Sequence, residues 1–158
     1  MTIGKQPFLW TLVILFLCVS VTVTTVAADN ISELKDYLAK MGLESTTKWI
    51  SDQMALSMPM QVDSFTRLTK VNYLYPDTII VFARISLTKQ QISDFASLEE
   101  IRQQMKQDTT RRMCADPTIE TMLQAGMRLT YEYLDDNRLP LFSLTTKEED
   151  CTTRAARL

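Results

Sequence analysis

The sequence predicts an α+β domain: an antiparallel sheet of about four strands, arranged as two hairpins, packed against about four helices and tied by one disulfide. Three observations carry this. Two pairs of β-branched and aromatic runs are each joined by a turn-forming stretch. Four stretches place apolar residues at helical spacing and have helix-start or helix-stop residues at their ends. Two cysteines remain once an apolar N-terminal segment is set aside.

That first segment reads as an address rather than as fold. The chain has 158 residues, enough for one domain, and Lys5 is its one charge before Asp29. Phe8 to Val23 (FLWTLVILFLCVSVTV) is apolar, and Val26 and Ala28 put small residues ahead of a cut between Ala28 and Asp29. The expected organisation is a signal peptide over 1–28, a single α+β domain over 29–151 and a flexible tail over 152–158. An uncleaved anchor is the alternative, since the 21 residues from Phe8 to Ala28 carry no charge. Ser20, Thr22, Thr24 and Thr25 make its second half polar, which favours cleavage. A lipidated Cys18 would need a small residue before it, where Leu17 stands, so Cys18 reads as apolar filler. Cleaved or anchored, the domain is expected outside the cytoplasm, periplasmic or secreted.

The elements follow in order. Asp29 or Asn30 can cap a helix whose inward face is Ile31, Leu34, Leu38 and Met41, ending at Gly42. A second helical stretch, STTKWISDQMALSM, puts Trp49, Ile50 and Met54 on one side and stops at Pro59. A strand follows with Phe65, Arg67, Thr69, Val71 and Tyr73 on one face and Leu68, Lys70 and Asn72 on the other. Tyr75 to Thr78 is a turn with proline second, and Ile79 to Leu87 is apolar on both faces near its start, as a central strand would be. Ser97 and Glu100 form a capping box before a helix whose stripe is Leu98, Ile101, Met105 and Met113. Asp116 and Pro117 start the next helix, Ile119, Met122 and Leu123 face inward, and Gly126 ends it. Met127, Leu129, Tyr131 and Tyr133 then alternate with Arg128, Thr130 and Glu132; Asp135 to Arg138 turns the chain, and Leu139 to Thr146 returns beside it.

In an exported chain, Cys114 and Cys151 read first as a disulfide. A zinc site would need further ligands and a cysteine nucleophile would need a base, yet the sequence contains no histidine. The same lack excludes Ser-His-Asp, Cys-His and HExxH chemistry. No glycine-rich phosphate loop is present, and no cofactor or metal is expected. Beyond the signal lie all 19 acids and 16 bases, a formal charge of −3, which is no footprint for nucleic acid. The acid pairs Glu99-Glu100, Asp135-Asp136 and Glu148-Glu149 are sequence neighbours and read as solvated. Tyr73, Tyr75, Tyr131 and Tyr133 could form an aromatic binding surface, although same-face strand tyrosines more often pack against helices. The methionines read as core, and the NIS triplet at Asn30 is set aside as chance.

From about Pro59 onward the chain resembles a known family on three stretches: MPMQVDSFTRL, then CADPTIETMLQAGMRLTYEYLDD, then the closing Cys151. The family is that of small exported proteobacterial proteins called quorum-sensing-regulated virulence factors. The resemblance implies an α/β sandwich-like domain with Cys114 and Cys151 paired. It also implies fold kinship with the β-class pilotins of type II secretion, small lipoproteins that chaperone outer-membrane secretin subunits. The chain departs from pilotins in lacking a convincing lipidation site. No catalytic residues come with the family.

The leading functional expectation is thus a non-enzymatic, exported protein-binding domain of a Gram-negative bacterium, with a secretion or virulence role. Its partner is another protein, and the membrane enters only if the N-terminal helix is retained. One alternative is a secreted hydrolase or effector using two acids brought together from distant segments, such as Asp63 and Glu132. The other is a membrane-anchored assembly factor that keeps its N-terminal helix.

Overall fold

The structure, a computed structural model, describes residues 24–155. The segment read as a signal peptide therefore lies largely outside the described residues, as does the end of the tail.

Helix α1 runs Thr24–Leu56, so the expected cap at Asp29 or Asn30 falls inside a helix rather than at its start. Gly42 breaks it where expected: its φ of 76° and ψ of 172° are backbone angles that a Cβ makes costly. The two halves turn Leu34, Leu38, Ile50 and Met54 toward the sheet. Pro59 then ends helical structure, and β1 (Met60–Gln61) pairs with β2 (Thr66–Leu74). Asp63 shapes the turn between them by accepting from the Phe65 and Thr66 N–H groups, both at 2.8 Å.

β2 and β3 (Thr78–Ile85) form the first hairpin, and β4 (Arg128–Leu134) and β5 (Pro140–Thr146) the second. Among the described residues the sheet has five strands in the order β1-β2-β3-β4-β5, with β3 central as its apolar sequence foretold. Two expectations are corrected here. The sheet is mixed rather than antiparallel, because β3 and β4 run parallel, Ile79 beside Leu129 and Ala83 beside Tyr133. A parallel pair needs a long crossover, and the helices between Ile85 and Arg128 supply it. The strand count rises from four to five through β1, whose two residues carry no alternating pattern to read.

The helices number five among the described residues. Besides α1 they are α2 (Lys89–Ser93), α3 (Leu98–Met113), α4 (Pro117–Gln124) and α5 (Glu148–Ala155). The capping box at Ser97 and Glu100 and the Asp116 cap are as expected. A second capping box, Thr88 with Gln91, starts the short α2. Helix α5 carries regular structure past Cys151 to Ala155, into what read as tail.

The core lies between one sheet face and the helices. Ile79, Val81, Ala83, Met127, Leu129, Tyr133 and Leu144 are buried from the sheet side, against Leu34, Met113, Met122 and Leu123. Leu68 and Val71 both join this core, although simple alternation assigns them to opposite faces. A bulge between Leu68 and Lys70 explains it: the extra residue, Thr69, shifts the phase, and its hydroxyl donates to the Phe82 carbonyl at 3.2 Å. Gly126, at φ 94°, turns the chain from α4 into β4.

Candidate functional site

Cys114 is the C-terminal cap residue of α3, and Cys151 sits in α5. Their sulfurs are bonded, with Cα atoms 5.4 Å apart. The pair clasps two helices together, so neither thiol serves as a nucleophile or ligand. Among the described residues, no group of three or more His, Cys, Asp or Glu side chains could hold a metal ion. No described helix is long and apolar enough to cross a membrane.

The four tyrosines do not share one surface. Cross-strand partners lie on the same side of a sheet, so Tyr73, Tyr131 and Tyr133 project from the helix-covered face with Ile79, Val81 and Leu129. Tyr133 is buried, stacks near Tyr131 with ring centroids 6.2 Å apart, and meets Phe142 at 5.0 Å. Burial pushes its phenol up to about 12, against a smaller opposing hydrogen bond from Thr109. Burial raises Tyr131 as well. Tyr73 is half-buried and donates to the Pro76 carbonyl at 3.2 Å. Tyr75 alone stands clear, 69 % exposed in the β2–β3 turn beside the exposed Leu74.

The two acids from distant segments also stay apart. Asp63 organises the β1–β2 turn and acts electrostatically on Tyr133, on the covered side. Glu132 pairs with Phe82 and Ser143 and so projects from the opposite face. A cleft of about 600 Å³ lies between α3 and α5, lined by Gln103, Lys106, Gln107, Arg111 and Asp150 among others. Its acids are already engaged: Asp108 pairs with Arg111 at 2.6 Å, and Asp150 accepts from the Lys147 N–H.

The second sheet face carries Lys70, Asn72, Ile80, Phe82, Arg84, Thr130, Glu132, Ser143 and Thr145, by the same register. The helical core partners all belong to the other side, so this face is a mixed polar and aromatic surface. Lys70 lies 5.9 Å from the Phe82 ring centroid, Arg84 pairs with Asp136 at 2.7 Å, and the Thr130 and Thr145 hydroxyls meet at 3.0 Å. The sheet edges add a second feature: β1 is two residues long, whereas β5 is seven.

Sequence reasoning missed Asp135. Read as one of a solvated acid pair, it is 1 % exposed. Its carboxylate accepts from the Leu139 N–H at 2.8 Å and the Lys89 N–H at 3.2 Å, fastening the β4–β5 turn to the start of α2. Burial alone would raise its pKa; hydrogen bonds from the Leu139, Lys89 and Asn137 backbones outweigh that and hold it below the ordinary value. The one available signal was an aspartate directly after an apolar strand, a turn-forming position.

No family model matches the chain, and no curated protein matches it in sequence. Its fold is nonetheless that of known structures. The chain is similar to EpsS, the pilotin of the Vibrio vulnificus type 2 secretion system, at TM-score 0.56 and 8 % identity, covering 78 % of this chain and 96 % of that one. A candidate secreted protein from Pseudomonas aeruginosa matches at TM-score 0.53 and 10 % identity, over 82 % and 99 %. AspS, the type II secretion pilotin of Vibrio cholerae, matches at TM-score 0.50 and 11 % identity, over 78 % and 97 %. The fold is therefore pilotin-like.

Proposed function

We propose that this chain is an exported, non-enzymatic protein-binding domain serving a secretion or virulence system of a Gram-negative bacterium. One observation carries the reading: nearly the whole length of two type II secretion pilotins superimposes on it, 96 % of one and 97 % of the other. The open, mixed sheet face supports a protein partner, and by the fold likeness that partner belongs to secretion machinery. Membership among the quorum-sensing-regulated virulence factors, cleavage after Ala28 and a periplasmic or secreted location are parts of the same proposal. The test is capture from periplasmic extract with the mature protein as bait. A specific envelope or secretion component should be retained, and Phe82→Ala with Lys70→Glu should lose it. Recovery of no specific protein, or retention unaffected by both changes, would sink the reading.

A further inference from the structure

The bulge in β2 does more than align the core. Simple alternation would send Arg67 and Lys70 to opposite sides of the strand. The extra residue at Thr69 brings both to the face turned away from the helical core. There Arg67 stands directly opposite Arg84, Lys70 opposite Phe82, and Asn72 opposite Ile80 in the next row. Cross-strand partners share a side, so three cations gather on this face beside two apolar side chains. Bulges recur next to functional sites, where they re-aim a side chain.

The arrangement does not help the free domain. Like charges directly opposite each other weaken a strand pair. Arg84 is answered by Asp136 at 2.7 Å. Arg67 and Lys70 are exposed and have no ion pair among the described residues. The Lys70 ammonium lies over the Phe82 ring, 5.9 Å from its centroid. Glu132 projects from the same face, but it stands beyond Phe82, two strand spacings or roughly 10 Å from Lys70. The chain as a whole carries a net charge of −2, so the cluster is not a sample of a generally basic surface.

We infer that this part of the sheet face binds an acidic segment of a partner protein, with carboxylates against Arg67 and Lys70 and an apolar side chain over Ile80 and Phe82. This rests on the protein-binding reading above and gives its partner a chemistry. The two unanswered cations set the sign, and the guanidinium fork of Arg67 suits a carboxylate. The half-buried Ile80 and Phe82 favour a segment with side chains over a free anion. Glu132 disfavours a uniformly anionic surface such as lipid or nucleic acid, which would set negative charge against it. A peptide can place a neutral or basic residue there.

The test pans the immobilised mature protein against a random peptide library. Selected peptides should be rich in Asp and Glu, carry a large apolar residue, and bind less well as salt is raised. Arg67→Glu with Lys70→Glu should weaken them by about tenfold or more. Exchanging the peptide acids for lysine should restore binding to that doubly reversed protein. Lys106→Glu, an exposed reversal on α3, should leave affinity unchanged, which separates contact from net charge. Arg67→Glu alone should melt no lower than wild type, because it relieves the arginine pair. Selection of no peptides, or of peptides without excess acid, overturns the inference. So does affinity indifferent to the double reversal, or not restored by the lysine peptides. A lower melting temperature for Arg67→Glu overturns it by making the arginine pair structural. Binding of phosphatidylglycerol vesicles or duplex DNA in place of peptide overturns it equally. If peptide selection fails while a secretion component is still captured from extract, the acidic-segment inference alone falls. If peptides bind as expected while extract yields no component, the secretion reading alone falls.

Discussion

Replacing Cys114 and Cys151 together by alanine removes the one covalent cross-link found among the described residues. The magnitude follows from the loop it closes. With a sequence separation of 37, the chain-entropy relation gives about 4 kcal/mol of stabilisation, through restriction of the unfolded chain. The enclosed segment is no appendage: α4, β4 and β5 lie within it and contribute Met122, Leu123, Met127, Leu129, Tyr133 and Leu144 to the core. Global unfolding must release this segment, so the full domain feels the constraint. Both cysteines are half-buried, so alanine leaves only a modest void. About 4 kcal/mol is nearly three powers of ten in the folded-to-unfolded ratio. For a domain of about 125 residues it lowers the melting temperature by roughly 15 °C. Calorimetry of the oxidised protein, the reduced protein and the double alanine variant measures this directly. The last two should melt together, well below the first. A fall of less than about 3 °C would refute the reasoning, since the clasp would then be restraining a segment already restrained by packing.

Three further outcomes are expected. Thr46 is fully buried and its hydroxyl has no hydrogen-bond partner among the described residues, so Thr46→Val should raise stability by about 1 kcal/mol in urea unfolding; a loss of that size would mean the hydroxyl is satisfied. Asp135→Asn should destabilise the domain at neutral pH. Because the folded state lowers this carboxyl's pKa, its contribution is present above the ordinary value of 3.8 and disappears as pH falls through the folded value. The gap between wild type and variant should therefore close in acid, and a pH-independent gap would contradict the assignment. In an ultraviolet titration, one phenol should ionise near pH 12 and vanish in Tyr133→Phe. The folded state holds that proton more tightly than the unfolded chain, so stability should decline as pH rises from about 10 toward 12.

What was legible in the sequence was what neighbours along the chain decide. The break at Gly42, the caps at Ser97 and Asp116, the turn at Gly126 and the alternation of Leu129, Tyr131 and Tyr133 rest on backbone angles, local hydrogen bonds and strand pleat, each set within a few residues. The pairing of Cys114 with Cys151 followed from there being two cysteines beyond the segment that reads as an export signal. Other features were decided between distant segments. The parallel contact of β3 with β4 depends on how three intervening helices carry the chain back, and a strand's own pattern is the same in either direction. The bulge at Thr69 put Leu68 and Val71 on one face because Ala83 and Val81 on the next strand required it. Asp135 is buried rather than solvated because the backbone of α2, 46 residues earlier, arrives to donate to it. Local periodicity fixes which residues are apolar on a given element; which face that element turns, and what waits there, is settled only when the whole sheet closes against its helices.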